Sequence, residues 1–249
     1  MIVSLSARQL RAIILDVEGT TTPIDFVHGV LFPYARTQLR SFLQRGLSED
    51  IRHAVQLLRD EYDEDVRSGA GPPEWQANPH SVEKAAIVAY LEWLMDRDRK
   101  SPGLKLLQGM IWKDGYRVGS LRGQVFPDVP RALARWREHE MDVRIFSSGS
   151  VLAQRLLFET TPSGDLTKLL NGYFDTGTGP KTASASYHRI AAEIDRPPIE
   201  CLFVSDVVAE LDAAQAAGMQ TLLSIRPGNA PQAAAHNHGT IRSFDEIVE

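Results

Sequence analysis

Short runs of consecutive apolar residues occur once near the start of the chain and several times in its second half. They are Ala12–Leu15, Val143–Ser147, Leu202–Ser205 and Thr221–Ile225, with Tyr173–Thr176 as a weaker fifth. Runs of this kind, rich in Ile, Leu, Val and Phe, are typical of central strands in a parallel sheet whose two faces are both covered. The pattern therefore predicts a buried parallel sheet.

Helical periodicity fills the intervals between the later runs. Apolar residues recur at helical spacing in Val151–Glu159, Ala183–Ile194 and Val208–Ala217, and Gly218 stands where a helix-ending glycine is expected. Strand and helix patterns alternate from about Pro127 onward. This alternation predicts an α/β fold with a doubly wound parallel sheet.

The segment between the first two predicted strands has a different character, because residues 25–124 show no convincing strand pattern. Helical patterns occur there around Tyr34–Leu43, Ile51–Tyr62, Val82–Met95 and Leu104–Lys113. The Gly- and Pro-rich stretch Ser68–Pro73 interrupts them. We predict an α/β core domain made of residues 1–24 and 125–249, with a helical domain of residues 25–124 inserted after the first strand.

Composition narrows the class of protein. The chain has 249 residues, of which 43% are hydrophobic and 24% charged, as in ordinary globular proteins. Its net charge of -5 argues against nucleic acid as a partner, and no apolar run approaches the roughly 20 residues that cross a bilayer. The single cysteine, Cys201, excludes an internal disulfide and is expected to be a buried apolar residue. We expect a cytoplasmic monomer without nucleic-acid or membrane partners.

Two acidic residues follow the first predicted strand, in LDVEGTTTP. Asp16 and Glu18 flank one residue, so their side chains share a face at the carboxyl end of the strand, where open α/β sheets bind ligands. Two acids this close repel each other unless a cation or a shared proton lies between them. Taken alone, the pair is also compatible with a turn or a helix N-cap.

Three further segments carry polar groups at predicted strand ends or helix starts. In IFSSGS, the hydroxyls of Ser147 and Ser148 precede a helix and suit a phosphate, although a plain N-cap is the alternative. In TGPKTAS, Lys181 is either a surface residue or a fixed positive charge beside a phosphate. In LFVSDVVAE, Asp206 is either an N-cap or, with Asp16, part of an oxygen-ligand Mg²⁺ site.

This order of residues resembles that of the haloacid dehalogenase (HAD) superfamily, and the helical insert resembles that superfamily's cap. The resemblance implies that Asp16 is the nucleophile that forms an aspartyl-phosphate. It implies one Mg²⁺ ion bound by Asp16, Asp206 and the backbone carbonyl of Glu18. Ser147 and Ser148 would bind the substrate phosphate, with Lys181 neutralising developing charge.

Longer stretches resemble one family within that superfamily, the enolase-phosphatases of methionine salvage. They are LDVEGTTTPIDFVHGVLFPYA, DRDRKSPGLKLLQGMIW, WREHEMDVRIFSSGSVLAQRLLF and RPGNA. The resemblance implies conversion of 2,3-diketo-5-methylthiopentyl-1-phosphate, a small phosphorylated substrate, to 1,2-dihydroxy-3-keto-5-methylthiopentene. An ordinary HAD phosphatase acting on another small phosphoester is the alternative, and a non-catalytic phosphometabolite-binding protein is a third hypothesis.

Three assignments stay open at this point. Glu18 stands where most HAD phosphatases have Asp, and its carboxylate is the nearest candidate for the enolisation base, with His28 as the other candidate. Glu210 replaces the second acid expected after Asp206, and it is either a residue that supports the site or a helix-surface acid. His236 and His238 are interpreted as loop residues, because two histidines without a third ligand do not make a convincing metal site.

Overall fold

A computed structural model of the chain describes residues 2–46, 48–75, 80–231 and 236–249, with the backbone alone for residues 80–83. In chain order the helices and strands are β1 (Val3–Ser4), β2 (Ala12–Leu15), α1 (Ile24–Phe26), α2 (Phe32–Gln44), α3 (Glu49–Arg67), α4 (His80–Met95), α5 (Pro102–Arg117), α6 (Val129–Glu138), β3 (Asp142–Phe146), α7 (Val151–Glu159), β4 (Gly172–Phe174), α8 (Ser184–Glu193), β5 (Cys201–Ser205), α9 (Val208–Ala216), β6 (Gln220–Ser224), β7 (Gly239–Ile241) and β8 (Ile247–Val248). A π-helical turn, Val27–Leu31, connects α1 to α2, and 3₁₀ turns occur at Leu166–Leu169, Pro198–Glu200 and Phe244–Glu246. Within these residues no helix is long and apolar enough to cross a membrane.

The chain forms two compact units. One contains the residues up to His28 together with Arg122–Glu249, and the other is Gly29–Leu121. The sequence placed the corresponding boundaries a few residues away, after residue 24 and before residue 125. The predicted insert and the second unit therefore cover nearly the same part of the chain.

The first unit is built on a six-stranded parallel sheet in the order β4–β3–β2–β5–β6–β7, as far as the chain is described. β2 lies between β3 and β5, and Ala12 is in register with both Asp142 and Cys201. Every residue of β2 is buried, as expected for a central strand with both faces covered. This arrangement confirms the predicted α/β class. From β2 the sheet extends through β3 and β4 to one edge and through β5, β6 and β7 to the other. Ligands of open α/β sheets bind where the strand order changes direction in this way.

The structure also contains elements that the apolar patterns did not predict individually. β1 and β8 pair as a two-stranded parallel sheet, and β7 extends the main sheet beside β6. These three strands have two or three residues each, too few to establish a period. The helix α6 carries a narrow apolar stripe among charged residues, and its buried positions follow helical spacing. They are Val129, Ala132, Leu133 and Trp136.

The described elements of the second unit are all helical, in agreement with the helical periodicity of this segment. α3 and α5 approach closely because Gly103 has no side chain. A Cβ atom there would lie 2.6 Å from the Leu58 side chain and 2.7 Å from the Ala54 carbonyl oxygen. A buried polar cluster also links the helices, since Tyr90 donates a hydrogen bond of 2.7 Å to Asp65.

A buried ion pair between Asp128 and Arg226 stabilises the first unit. Arg226 Nη2 lies 2.8 Å from Asp128 Oδ2, both side chains are nearly inaccessible, and the Phe244 N–H donates to the same carboxylate at 2.6 Å. Burial opposes ionisation, but the hydrogen bonds from Arg226 and Phe244 outweigh it and lower the pKa of Asp128. Because the native pKa lies below the unfolded value, the pair stabilises the fold above about pH 4 and loses this effect as the pH falls.

We therefore expect Asp128→Asn to lower the free energy of unfolding by about 3 kcal/mol at pH 7, since it leaves a buried guanidinium without its counter-charge. The difference from the parent protein should narrow below pH 4. Urea titrations at the two pH values measure both effects. Asp245→Asn is the control, because Asp245 pairs with Arg131 at the surface, and its cost should stay below about 1 kcal/mol. Equal costs for the two variants would contradict the prediction.

Candidate active site

All the predicted site residues line one cavity of about 240 Å³ in the first unit. The cavity is lined by Asp16, Glu18, Ile24, His28, Ser147, Ser148, Lys181, Asp206, Val207 and Glu210. Asp16, Ser147 and Asp206 follow the carboxyl ends of β2, β3 and β5, three adjacent strands at the centre of the sheet, and Lys181 lies between β4 and α8. The topology thus brings Asp16 and Asp206, which are 190 positions apart in the sequence, into one cavity.

Asp16 continues β2 by one residue, since its N–H donates to the Val204 carbonyl at 3.0 Å. Its side chain is 6% exposed and contacts Lys181 Nζ through Oδ1, while Ser205 Oγ lies 3.5 Å from Oδ2. The Thr21 hydroxyl donates to the Asp16 carbonyl oxygen at 3.1 Å. The carboxylate is therefore fixed at the strand end, as a buried charge with a cationic partner.

Lys181 lies before α8 and is also only 6% exposed, which excludes the surface alternative. Tyr187 Oη donates to the Lys181 carbonyl oxygen at 2.6 Å and anchors the segment. The ammonium contacts Asp16 and lies 2.6 Å from Glu210 Oε2. Burial opposes its charge, but the two carboxylates prevail and raise the pKa of Lys181, so it stays positive.

Glu210 belongs to the site, and the alternative of a helix-surface acid is wrong. It lies in the first turn of α9, is 12% exposed, and accepts a hydrogen bond of 2.9 Å from Ser205 Oγ besides the contact with Lys181. Burial and the nearby Asp16 carboxylate raise the pKa of Glu210. The spacing to Asp206, one helical turn, is the sequence signal that pointed to this residue without settling its role.

The cavity carries more negative than positive charge. Burial, and then the charges of Asp16 and Glu210, raise the pKa of Asp206 to about 7. Gly19 packs directly on this carboxylate with a φ of +67°, and a Cβ atom at Gly19 would lie 2.7 Å from Asp206 Cγ. Three carboxylates around one ammonium form a site whose charge a bound cation would balance.

A hard cation that takes few protein ligands fits these residues. No cluster of three or more His, Cys, Asp or Glu side chains suited to a metal occurs in the described part of the chain. Mg²⁺ is bound by one or two carboxylates plus waters and substrate phosphate. The carboxylate oxygens of Asp16 and Asp206 therefore suit Mg²⁺.

The serine segment after β3 combines a helix start with hydroxyl groups. Ser150 is the N-cap of α7, and its Oγ accepts a hydrogen bond of 3.3 Å from the Ala153 N–H. Ser147 Oγ accepts from the Gly149 N–H at 3.1 Å, and Ser148 is exposed in the cavity wall. The capping role thus falls to Ser150, and Ser147 and Ser148 both line the cavity.

Both candidates for the enolisation base line the same cavity. Glu18 has a side chain 43% exposed, and its Oε2 lies 3.8 Å from Nε2 of His28, which belongs to the π-helical turn. The Glu18 carboxylate is therefore more exposed than that of Asp16, although both line the cavity. Geometry alone leaves both residues as candidates.

Two other side chains of reactive type, His238 and Cys201, are buried outside the cavity. His238 is buried before β7, and its ring nitrogens lie 2.8 Å from Thr221 Oγ1 and 3.0 Å from Asp212 Oδ1. Burial raises the pKa of the Cys201 thiol to about 11, which makes it inert, as expected for a buried strand cysteine. A second cavity of about 340 Å³, beside Asp175 and Arg189, contains none of the predicted site residues.

The fold and the site define a haloacid dehalogenase-like hydrolase, and the model of that family matches residues 10–218. Within this class the chain belongs to the enolase-phosphatase E1 family. It is 49% identical to the enolase-phosphatase E1 of Synechococcus elongatus, over 96% of this chain and 98% of that protein. It is 45% identical to that of Pseudomonas aeruginosa, with the same coverage. The crystal structure of the UTR4 protein of Saccharomyces cerevisiae, 33% identical, superposes with a TM-score of 0.76 over 95% of this chain and 99% of that one.

Proposed function

We propose that the chain is a bifunctional enolase-phosphatase. It converts 2,3-diketo-5-methylthiopentyl-1-phosphate to 1,2-dihydroxy-3-keto-5-methylthiopentene and phosphate in methionine salvage. The observation that carries the proposal is the buried carboxylate of Asp16, held against the Lys181 ammonium in a cavity that also contains Asp206, Ser147 and Glu18. The two serines and the lysine suit a phosphate, while Asp16 suits attack on its phosphorus.

The phosphatase step uses Asp16 as the nucleophile. A carboxylate oxygen of Asp16 forms a bond to phosphorus as the bond from phosphorus to the substrate oxygen breaks. The departing oxygen keeps the electron pair and takes up a proton from solvent, and an aspartyl-phosphate is left on the protein. Water then attacks that phosphorus, releases phosphate and restores the carboxylate. Lys181 holds Asp16 in place and offsets negative charge, and Ser147 and Ser148 donate to phosphate oxygens.

The enolase step precedes phosphate release. Comparison of substrate and product shows that C1 loses a proton, the C2 carbonyl oxygen gains one, and a C1–C2 double bond forms. We assign the base to Glu18, whose carboxylate is accessible in the cavity beside His28. His28 then lies where it can hold or exchange the proton that Glu18 takes up.

A Mg²⁺ ion would be held by the carboxylates of Asp16 and Asp206 and by the backbone carbonyl of Glu18. When bound, such an ion acts as a Lewis acid that polarises phosphoryl or carbonyl oxygens. Burial and the nearby carboxylates raise the pKa of Asp206 to about 7, and a bound cation would balance the charge of these carboxylates, which supports this assignment. We further propose that the unit Gly29–Leu121 is the substrate cap, and that the protein acts in the cytoplasm as a monomer.

The purified protein should produce both a conjugated enol, followed by its absorbance, and free phosphate from the diketone phosphate. Glu18→Gln should slow enol formation by about 10²-fold or more, the usual contribution of a general base. Hydrolysis of p-nitrophenyl phosphate needs no enolisation, because this ester has no C–H proton next to a carbonyl group. Its rate should change only a few-fold, since the variant keeps the Glu18 backbone. The two assays are run side by side on each variant.

Glu200→Gln, a change outside the cavity, is the control and should leave both assays at the parent level. A selective loss of enol formation in His28→Asn, with Glu18→Gln unaffected, would move the base to His28. Phosphate release from simple esters without any enol from the diketone phosphate would replace our proposal with an ordinary HAD phosphatase.

A further inference from the structure

The RPGN segment, Arg226–Asn229, follows β6 and contacts the turn that carries the catalytic acids. Asn229 Nδ2 donates hydrogen bonds of 3.0 Å to the Gly19 carbonyl oxygen and 3.2 Å to the Ser224 carbonyl oxygen. Arg226 Nε donates one of 3.1 Å to the Thr20 carbonyl oxygen. Two side chains distant in the sequence thus bind two successive carbonyls of the turn between Asp16 and Thr22.

Arg226 is held rigidly enough to position what it contacts. Its guanidinium is paired with Asp128 and also donates 2.9 Å to the Arg242 carbonyl oxygen. The rings of Phe126 and Phe244 lie 4.7 Å from its central carbon. A planar group bound on several sides has one available orientation, so the hydrogen bond to Thr20 is fixed in direction.

Asn229 contacts the same turn at Gly19. Its Nδ2 donates to two carbonyl oxygens, which fixes the orientation of the amide. A Cβ atom at Gly19 would lie 2.9 Å from Asn229 Oδ1 and 2.7 Å from Asp206 Cγ. Oδ1 is buried and has no hydrogen-bond partner among the described residues. The turn is therefore confined between Asn229 and a carboxylate of the site.

We propose that Arg226 and Asn229 are positioning residues that set the spacing of Asp16 and the Glu18 carbonyl relative to Asp206. Neither touches the reacting atoms, and both act through the backbone of Gly19 and Thr20. The proposal rests on the proposed function for its catalytic consequence, but the placement of the metal-binding groups does not depend on the substrate. Displacement by about 1 Å in such a site costs roughly 10²-fold in rate.

Asn229→Ala tests this directly. The Mg²⁺ dissociation constant, measured by titration calorimetry on substrate-free protein, should rise about 10-fold, as is usual when a group supporting metal ligands is lost. With the diketone phosphate and with p-nitrophenyl phosphate, kcat should fall about 10- to 100-fold while KM stays within about two-fold, because the groups that bind the substrate remain. If Asn229→Ala does not fold, Asn229→Ser, which keeps one donor, is measured by the same criteria.

Arg135→Ala is the matched control, since Arg135 also donates to main-chain carbonyls, those of Phe244 and Ile247, but none of the turn. It should lower the melting temperature and leave the Mg²⁺ dissociation constant unchanged. An Asn229 variant that loses only melting temperature, with parent Mg²⁺ affinity and kcat, would overturn the proposal, as would a parent protein that binds no Mg²⁺. If the proposed substrate is wrong, the parent protein will form no enol from the diketone phosphate, while the rise in the Mg²⁺ dissociation constant of Asn229→Ala will still be measured.

Discussion

Asp16→Asn is expected to lower the rate of phosphate release by about 10⁴-fold or more, with both the diketone phosphate and simple esters. The amide has nearly the same shape as the carboxylate but cannot form the aspartyl-phosphate. It also keeps an oxygen that can accept from Lys181 Nζ, so the fold should persist. Initial rates of phosphate release, with circular dichroism to verify folding, measure the effect.

Asp142→Asn is the control variant. Asp142 is the first residue of β3, at the amino end of the strand, and it pairs with Arg144 away from the cavity. Its activity should remain within a few-fold of the parent. Labelled phosphate trapped on the protein by rapid acid quench should be found in the parent and be absent from Asp16→Asn. Unchanged turnover in Asp16→Asn would rule out the covalent mechanism.

The sequence was sufficient to predict five of the six described strands of the main sheet and the convergence of the site, because both follow from one regularity. Parallel strands place their carboxyl ends at one edge, so polar residues after Leu15, Phe146 and Ser205 must meet there. Apolar runs of four or five residues are long enough to reveal such strands. Strands of two or three residues, such as β1 and β8, form only because each finds a partner from the opposite end of the chain.

The environment of each side chain could not be predicted in the same way. Lys181 precedes a helix, where a lysine opposes the helix dipole and is usually exposed, yet its ammonium lies between two buried carboxylates. Glu210 and Asn229 acquire their roles through tertiary contacts with Lys181 and Gly19. Local patterns determine where a residue lies along an element, but the charge that faces it depends on segments far away in the sequence.

Lys181→Met should have the second large effect, because it removes the ammonium that faces Asp16 and Glu210. Breaking a buried ion pair by deleting one partner costs about 3–5 kcal/mol of unfolding free energy. The rate of phosphate release should also fall by about 10²- to 10³-fold, as when one preorganised group that stabilises the transition state is lost. Urea unfolding in EDTA and initial rates in Mg²⁺ measure the two effects separately.

The pH dependence of this destabilisation has a definite sign. Burial and the Asp16 charge already raise the pKa of Glu210, and loss of the ammonium removes a group that lowers it, so the native state binds more protons than the unfolded one. Stability must then decrease as the pH rises above about 4.5, and the difference from the parent should be larger at pH 8 than at pH 5. A difference that does not grow with pH would show that the lost stability comes from packing.

Adding Glu210→Gln to Lys181→Met separates the two functions of the lysine. The second change removes one of the uncompensated buried charges, so it should restore part of the unfolding free energy and flatten its pH dependence. It supplies no positive charge beside Asp16, so the rate should stay at the level of the single variant. Recovery of both quantities together would mean that Lys181 acts only by maintaining the fold, whereas recovery of stability alone assigns its charge to the reaction.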